Sequence, residues 1–394
     1  MRSRQINEKI IALILGISLG LLLILVAWQA KIQESPRLEG QTQIGSNLTE
    51  NTSETGQNSE ITTEPETQPD TEIEAPVLVL NENPLTGEFN LTDGAVGKRP
   101  IAVMINNINK AMPQYGIAEA DIIFEIPVEG YLTRFMAVYA DYTQMPKICS
   151  IRSCRPYFPA IAKGFDAVYV YCGMADVIKD YVNSLDIDVF NGGRNHGGLF
   201  ARDQERRNAG YALEHTMYFD GTGIVEAMEK RKLRSDIVSE KEGNAFLFNE
   251  GDELVRPEGE NCTVVEIDFG AAKATLTYDL DTNTYLKELN GNPQVDGVTG
   301  TQLAFTNVFV LETTITTADY GIHKDVDWHG GTGYYVSNGA VQEITWSKKD
   351  EESSLKFYDV DGNELAINRG KSYIAINRKN RTEFIGAVTE DMIR

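Results

Sequence analysis

Cysteine is scarce in this chain of 394 residues, which has four: Cys149, Cys154, Cys172 and Cys262. They form no CxxC pair, so the sequence predicts neither a cysteine-based zinc site nor a thioredoxin-like redox motif, and we expect no bound metal. Cys149 and Cys154 are close in sequence, but spacing alone does not establish the geometry of a disulfide. Whether these two cysteines are bonded therefore stays open.

Positive charge is also limited, because 36 Lys and Arg stand against 58 Asp and Glu, for a formal net charge of -22. An acidic body repels a nucleic-acid backbone, so DNA and RNA are excluded as expected partners.

Nucleotide motifs are lacking as well. The glycine-rich segment 191–198 has no Lys-Ser/Thr of a P-loop, and Gly330–Gly333 lacks the third glycine of a dinucleotide motif. We expect no cofactor.

A convincing catalytic group is lacking too. Cys172 precedes Gly173 at the end of a predicted strand, which is the setting of a nucleophile on a sharp turn. Its base would have to be His196 or His215, and each is selected only by elimination. We therefore assign no catalytic residue, and an enzyme is the least favoured of the functions considered below.

Long apolar runs are few, and the longest lies near the N-terminus. Ile10 to Ala27 is a run of 18 residues that has no charged side chain and is apolar apart from Ser18. Its length is close to the ~20 residues that span a bilayer as a helix. No small-x-small cleavage site or lipid-accepting cysteine follows it, which favours an uncleaved anchor over a signal peptide. Basic residues precede the run, which predicts a cytoplasmic N-terminus. Residues 1–30 are therefore predicted to anchor a single-pass cell-membrane protein whose body is extracytoplasmic.

The rest of the chain divides by composition. Residues 31–75 are predicted to be a disordered acidic tether that keeps the body within roughly 35 Å of the bilayer, since 41–75 contains no aromatic, Lys or Arg. Strands alternating with helices predict an α/β domain over 76–250. Short strands separated by turn residues predict a β-rich domain over 251–380, with a tail over 381–394. The fold class is thus α+β or α/β.

Local patterns within these domains predict individual elements. Pro156 suits the first turn of a helix through Ile161, which would place Ser153 near the helix N-cap. Further helices are expected over 176–185 and 221–234, and the clearest hairpin turns at Asn338-Gly339. The predicted buried strands are Ile101–Ile105, Asp121–Ile126, Arg134–Tyr139 and Phe165–Cys172.

Two short runs rich in arginine, Ile151–Phe158 and Phe200–Arg207, stand out in this acidic chain. A guanidinium group presents a rigid fork suited to carboxylate or phosphate, so the runs predict an anion site. The alternative is internal pairing with acids such as Asp203, Glu205 or Asp121. The predicted anion-binding residues are Arg152, Ser153, Arg155, Arg202, Arg206 and Arg207, with Asp121, Arg194, His196 and His215 as accessory residues.

Several ordered segments carry a resemblance to a known family. They include Asn83-Pro84-Leu85-Thr86-Gly87, Ile151-Arg152-Ser153-Cys154-Arg155-Pro156-Tyr157-Phe158, Phe200-Ala201-Arg202-Asp203 and Gly331-Thr332-Gly333-Tyr334-Tyr335. On these segments, residues 80–376 resemble the YerB-like bacterial proteins, the family of domain of unknown function 3048. The resemblance implies an N-terminal and a C-terminal family domain, in that order, in an envelope protein without an assigned activity. Family members are often lipoproteins, whereas no lipid-accepting cysteine follows the apolar run here.

A more distant resemblance connects the order of strands and arginine segments to the LytR-CpsA-Psr transferases. It rests on the order of a strand, the Asp121 strand, a further strand, Ser150-Ile151-Arg152-Ser153, the segment Ala167–Asp176 and the later run Arg202–Arg207. That likeness implies arginines that bind the pyrophosphate of a polyprenyl lipid. Ile151-Arg152-Ser153 lacks the Pro and Asp of that family's Pro-Arg-Asp pattern, so metal-assisted transfer is not implied.

Three hypotheses follow for the function. The first is a membrane-anchored envelope protein that binds an anionic ligand through the clustered arginines, with polyprenyl phosphate or a cell-wall anion as the expected ligand. The second is a non-catalytic adaptor that binds envelope proteins of the cell-wall machinery, with the arginines in internal ion pairs. The third is a glycopolymer transferase-like enzyme.

Overall fold

The buried apolar segments of the sequence become the central strands of one large sheet. The computed structural model describes residues 80–194, 196 and 198–386, which fall within one compact unit. The predicted anchor and tether, and most of the predicted tail, lie outside the described residues. Within those described ranges, no helix has the length and apolar character needed to cross a membrane.

The α-helices of the described residues are short: α1 (Tyr157–Gly164), α2 (Lys179–Ser184), α3 (Gln204–Asn208) and α4 (Ile224–Arg231). The strands are β1 (Asn81–Glu82), β2 (Phe89–Leu91), β3 (Ile101–Asn106), β4 (Ile122–Glu129), β5 (Leu132–Tyr139), β6 (Lys147–Cys149), β7 (Val168–Tyr171), β8 (Val189–Asn191), β9 (Phe200–Arg202), β10 (Met217–Asp220), β11 (Leu247–Phe248), β12 (Glu260–Asn261), β13 (Val264–Asp268), β14 (Lys273–Asp279), β15 (Thr284–Leu289), β16 (Asn292–Pro293), β17 (Ala304–Phe305), β18 (Asn307–Glu312), β19 (Ile315–Thr317), β20 (Lys324–Val326), β21 (Gly330–Ser337), β22 (Ala340–Ser347), β23 (Lys356–Tyr358), β24 (Ala366–Ile367), β25 (Ser372–Asn377) and β26 (Thr382–Ile385). Single 3₁₀ turns lie at Asp93–Ala95, Asn109–Ala111, Tyr142–Gln144, Asp176–Ile178, Leu213–His215, Gly221–Gly223 and Ser239–Lys241.

The largest sheet takes strands from both predicted domains. Its order is β12-β22-β21-β18-β25-β4-β5-β3-β7-β8, with β23 added to β22. The strands β3, β18 and β25 are buried along their whole length, as expected for apolar strands covered on both faces. The two halves of the chain join where β4 pairs in parallel with β25, with Ile122 opposite Ser372. The domain boundary near residue 250 stays a prediction.

A second sheet, of order β16-β15-β14-β13-β26 with β17 added to β15, belongs to the second half of the chain. Its strand β15 alternates between partly exposed and buried residues, which is the pattern of a sheet with one face on the core. The hairpin predicted at Asn338-Gly339 is confirmed between β21 and β22, and both turn residues have positive φ, 43° and 71°. The mixed, strand-rich fold with a β-rich C-terminal region is confirmed.

The helices depart from prediction at their ends. Helix α1 begins at Tyr157 with Pro156 at its N-cap, so the expectation that Ser153 lies near the cap is wrong. The predicted helix over 176–185 is a 3₁₀ turn followed by α2. The helix predicted over 221–234 stops at Arg231, because Lys232 adopts the left-handed conformation that ends a helix.

A buried polar network connects the two halves beneath the large sheet. The carboxylate of Glu125 lies 3.2 Å from the ammonium of Lys287, and both side chains are 0% exposed. Glu125 also accepts hydrogen bonds from Tyr373 (2.6 Å), Asn107 (2.7 Å) and Thr133 (2.7 Å). Lys287 donates to Gln294 at 2.8 Å. The buried charges are therefore paired and hydrogen-bonded, which is the condition under which a protein interior accepts them.

Candidate functional site

The first arginine run lies where two parallel strands of the large sheet separate. Strands β3 and β7 pair from Ile101 to Val103 and then diverge. The segment after Ser150 fills the gap, because Arg152 N donates to the Met104 carbonyl (3.0 Å) while the Arg152 carbonyl accepts from Cys172 N (2.9 Å). In α/β sheets, ligands bind in crevices outside the carboxyl ends of such strands. Arg152 is thus held by backbone bonds at the edge where a ligand site is expected.

The Arg152 side chain is only loosely partnered. Its Nη2 lies 3.8 Å from Oε1 of Glu214, whose side chain is 61% exposed, whereas that of Arg152 is 22% exposed. The buried Nε of Arg152 has no hydrogen-bond partner among the described residues. Burial lowers the pKa of Arg152, and Glu214 opposes that shift. The guanidinium therefore has donors left for an additional anion, which would share it with the exposed Glu214 carboxylate.

Arg155 has a different role, although it lies three residues away. It is buried, and its Nη2 and Nε lie 2.8 and 3.2 Å from Oε2 of Glu129. The other Glu129 oxygen accepts from Nη2 of Arg134 at 2.7 Å. One carboxylate thus bridges two arginines, and Arg155 is fully committed to an internal ion pair. The predicted alternative of internal pairing holds for Arg155, but its partner is not among the three acids that the sequence suggested.

Sequence reasoning missed Glu129 and Arg134. Arg134 also donates to the Ser153 carbonyl at 2.7 Å, so it holds the backbone of the first arginine run in place. A signal was present, since Arg134 stands within the apolar run that becomes β5, and a charged residue in a buried strand requires a partner. Burial lowers the pKa of Arg134 to about 10, and the nearby Arg155 acts in the same direction.

Arg202 lies near Arg152, because both side chains contact the 3₁₀ turn Leu213–His215. Its position on β9 is opposite Met217 of β10, and the Met217 carbonyl accepts from Ile151 N at 2.9 Å. Arg202 is partly exposed and donates from Nη1 to the Leu213 carbonyl at 2.5 Å. The structure therefore brings Arg202 within two strand spacings of the Ile151–Ser153 backbone.

The next two arginines differ from Arg202. Arg206 is buried, and its guanidinium donates to the carbonyls of Ala111 (2.9 Å), His215 (3.3 Å) and Pro113. It also lies over the ring of Tyr115, at 4.2 Å, and near that of Tyr211, at 5.0 Å. Arg207 is exposed on α3. Arg206 is therefore a structural cation, whereas Arg207 faces solvent.

Asp203 is an expected arginine partner, but its carboxylate is used elsewhere. Its Oδ2 lies 2.6 Å from the Lys147 ammonium, and its Oδ1 accepts from Arg206 N at 2.8 Å as the N-cap of α3. These contacts hold the pKa of Asp203 below its ordinary value despite the opposing effect of burial.

The structure places three of the predicted accessory residues, His215, His196 and Arg194, in different surroundings. His215 is buried, with Nδ1 3.0 Å from Nδ2 of Asn106 and Nε2 3.6 Å from Oε1 of Glu214. His196 packs between the rings of Phe190 and Phe200, at 5.3 and 6.0 Å. Arg194 is exposed on the glycine-rich loop. Of these three, His215 is the one that contacts a partner of Arg152.

Asp121 lies away from the arginines. It precedes β4, whose other end carries Glu129, so at ~3.3 Å per residue the two are separated by roughly 25 Å along the strand. Its oxygens accept from Ala140 N (2.7 Å) and Asn83 Nδ2 (2.9 Å), and burial raises its pKa to about 6. The prediction of Asp121 as an accessory site residue is therefore not supported by its position.

Ser153 and Cys172 lie near the end of β7. A Cβ atom at Gly173 would lie 3.6 Å from Oγ of Ser153, so the hydroxyl lies against the backbone that follows the strand. Burial raises the pKa of the Cys172 thiol, which keeps it protonated near neutral pH. An open cavity of about 420 Å³ is lined in part by Lys110, Tyr211 and His215.

Protonation of His215 should make stability depend on pH. Burial lowers the pKa of His215 below its ordinary 6.5, and the charge of Arg152 acts in the same direction. The unfolded chain therefore gains a proton below pH 6.5 that the folded chain does not, so the free energy of unfolding should fall as pH drops. Urea unfolding at several pH values between about 7.5 and 5.5 gives the free energy of unfolding as a function of pH. The slope of this free energy against pH should be smaller for His215→Asn than for the wild type. Equal slopes would contradict this assignment.

Comparisons with known proteins agree with this architecture. The family described as protein of unknown function (DUF3048) matches through its N-terminal domain over residues 85–234 and through its C-terminal domain over 265–374. The chain is 31% identical over 300 residues to "Putative lipoprotein YerB" of Bacillus subtilis (strain 168), covering 74% of this chain and 85% of that protein. The crystal structure of YerB from Bacillus subtilis superposes with a TM-score of 0.67 at 27% identity, covering 77% of this chain and 99% of that one. The chain thus belongs to the DUF3048 family of YerB-like proteins.

Proposed function

We propose that this chain is a membrane-attached extracytoplasmic protein that binds an anionic group of the membrane or cell wall between Arg152 and Arg202. Attachment to a membrane is supported by the apolar run Ile10–Ala27 and by the name of the YerB relative, which describes a lipoprotein. The anionic ligand is supported by two arginines, Arg152 after β6 and Arg202 on β9, whose side chains both contact the turn Leu213–His215.

The observation that carries the proposal is the incomplete pairing of Arg152. Arg155 forms an ion pair with Glu129 at 2.8 Å. Both Nη atoms of the buried Arg206 donate to backbone carbonyls, although its Nε, like that of Arg152, has no partner among the described residues. Arg152 instead faces one exposed carboxylate at 3.8 Å. Because a guanidinium group forms strong bidentate hydrogen bonds to phosphate or carboxylate, a ligand anion would satisfy donors that the protein leaves over. The proposed site is therefore smaller than the five-arginine site that the sequence predicts.

The binding proposal predicts which arginines matter. Full-length protein in neutral detergent is titrated with inorganic phosphate, and then with vesicles that contain polyprenyl phosphate or only neutral lipid. Arg152→Gln and Arg202→Gln should each weaken binding about tenfold or more, since each removes a hydrogen bond between charged groups. Arg207→Gln, the exposed neighbour on α3, should bind like the wild type.

Two outcomes would contradict the proposal. Equal binding to neutral and phosphate-containing vesicles would show that no anion is recognised. A lower melting temperature for Arg152→Gln, without weaker binding, would make Arg152 a structural residue and favour the adaptor hypothesis instead.

A further inference from the structure

Four large apolar side chains are exposed together at the tips of two neighbouring loops. Tyr131 and Leu132, on the β4–β5 turn, are 66% and 39% exposed, and Tyr320 and Ile322, on the β19–β20 turn, are 38% and 70% exposed. Single exposed apolar residues are ordinary on a protein surface, but a cluster marks a contact surface.

The loops are held against one another by backbone bonds. Gly130 N donates to the Ile322 carbonyl at 3.3 Å, and Glu129 pairs with His323 as an antiparallel bridge. A third loop supports the Tyr131 ring at Gly270, where a Cβ atom would lie 2.5 Å from the ring and φ is +108°, so only glycine fits. The exposed side chains therefore project from a fixed backbone.

A buried charge cluster holds the base of these tips. Glu129 ends β4 and accepts hydrogen bonds from Arg134 (2.7 Å) and Arg155 (2.8 Å). The ion pair between Glu129 and Arg155 thus fixes the hairpin that carries Tyr131 and Leu132. The same ion pair leaves Arg155 unable to bind a ligand anion. The tips lie at the same edge of the large sheet as Arg152, since Arg134 of β5 pairs with Asn106 at the end of β3.

The composition and shape of the tips fit a lipid surface better than a protein. Four side chains on loop tips are far fewer than the ~20–30 residues a side of a stable protein interface. Tyrosine combined with Leu and Ile is typical of side chains that settle at the boundary between headgroups and acyl chains.

The chain outside the described residues makes this contact reachable. The described residues begin at Leu80, near the Asp121 end of β4, and the tips lie at the other end, roughly 25 Å away. The predicted tether extends roughly 35 Å, which lets the body turn its tips to the bilayer. We propose that Tyr131, Leu132, Tyr320 and Ile322 insert into the lipid surface and orient the body on the membrane. The inference rests on the proposed membrane attachment but not on the anion site.

The test places a nitroxide label at the tip of the full-length protein in phosphatidylcholine vesicles. The label is attached to Ile322→Cys in a Cys172→Ser background, where the remaining cysteines are buried. Its access to oxygen and to a water-soluble nickel chelate reports its depth. We expect the label to lie roughly 5–10 Å into the boundary between headgroups and acyl chains. A label on Val360→Cys, which is exposed on the loop after β23, should stay in water.

Further variants distinguish lipid insertion from contact with a second copy and from attraction of basic groups to the bilayer. Adding Tyr131→Asp should move the label at position 322 into water, while adding Arg152→Gln should leave its depth unchanged. A label at 322 that is as accessible to the chelate as the label at 360 would overturn the proposal. Spin–spin coupling between labels would overturn it in favour of contact with a second copy. Insertion that requires phosphatidylglycerol would overturn it as well, because it would assign the contact to basic groups.

Discussion

Glu125→Leu, with Lys287 left in place, is expected to lower the free energy of unfolding by about 3–5 kcal/mol. The substitution leaves the Lys287 ammonium fully buried with Gln294 as its remaining hydrogen-bond acceptor. Burial already lowers the pKa of Lys287, and the Glu125 carboxylate is the group that opposes this shift. An uncompensated charge of this kind is among the most destabilising changes a core can receive. Chemical denaturation of the purified protein measures the effect.

Two further variants make this prediction specific. The double variant Glu125→Leu plus Lys287→Met removes both charges and should be more stable than Glu125→Leu alone, because apolar replacement of a whole buried pair is often neutral. The partly exposed pair Lys273–Glu266, at 2.6 Å and with side chains 51% and 27% exposed, serves as the control, and Glu266→Leu should change stability far less than Glu125→Leu. A double variant no more stable than Glu125→Leu would show that lost packing, rather than unpaired charge, dominates.

Arg206→Met is expected to cost about 3 kcal/mol or more of stability, although Arg206 belongs to the arginine run that suggested an anion site. The change leaves the carbonyls of Ala111, His215 and Pro113 without their donor and removes the cation from the ring of Tyr115. Hydrogen bonds to charged groups contribute about 1.5–3 kcal/mol each, so the loss of several is large even after partial relaxation.

The neighbouring arginine provides the control. Arg207 is exposed on the same helix, and Arg207→Met should stay within about 0.5 kcal/mol of the wild type. Thermal unfolding and phosphate titration of both variants separate the roles. If Arg206→Met has normal stability but binds phosphate more weakly, Arg206 is a ligand-binding residue and not a structural one.

Local patterns in the sequence are sufficient to predict much of the fold. The strands β3, β4 and β5 follow from apolar runs, and the β21–β22 hairpin follows from Asn338-Gly339, since each signal lies within a few neighbouring residues. The helix after Pro156 is predictable in the same way, but the role of Ser153 is not. The cap depends on a backbone geometry that the run Ile151–Arg155 takes from its neighbours in space.

The candidate site is less predictable, because its partners come from distant parts of the chain. Arginine runs indicate guanidinium groups but not what faces them. Glu129 precedes Arg155 by 26 residues in the chain yet forms its ion pair, whereas Asp203, which is adjacent to Arg202, pairs with Lys147. Arg152 and Arg202 are brought together by contacts with the turn Leu213–His215, which no local pattern in the sequence indicates.

The position of β25 in the large sheet has a consequence for how the chain is made. This strand lies between β18 and β4, in parallel with both, although it comes from the last part of the described sequence. A chain that leaves the ribosome from its N-terminus cannot close the sheet until Ser372–Asn377 has emerged. Until then, β4 presents an unpaired apolar edge, which is a hazard for aggregation. The two family domains recognised in the sequence are therefore completed together, once β25 has been synthesised, rather than one after the other.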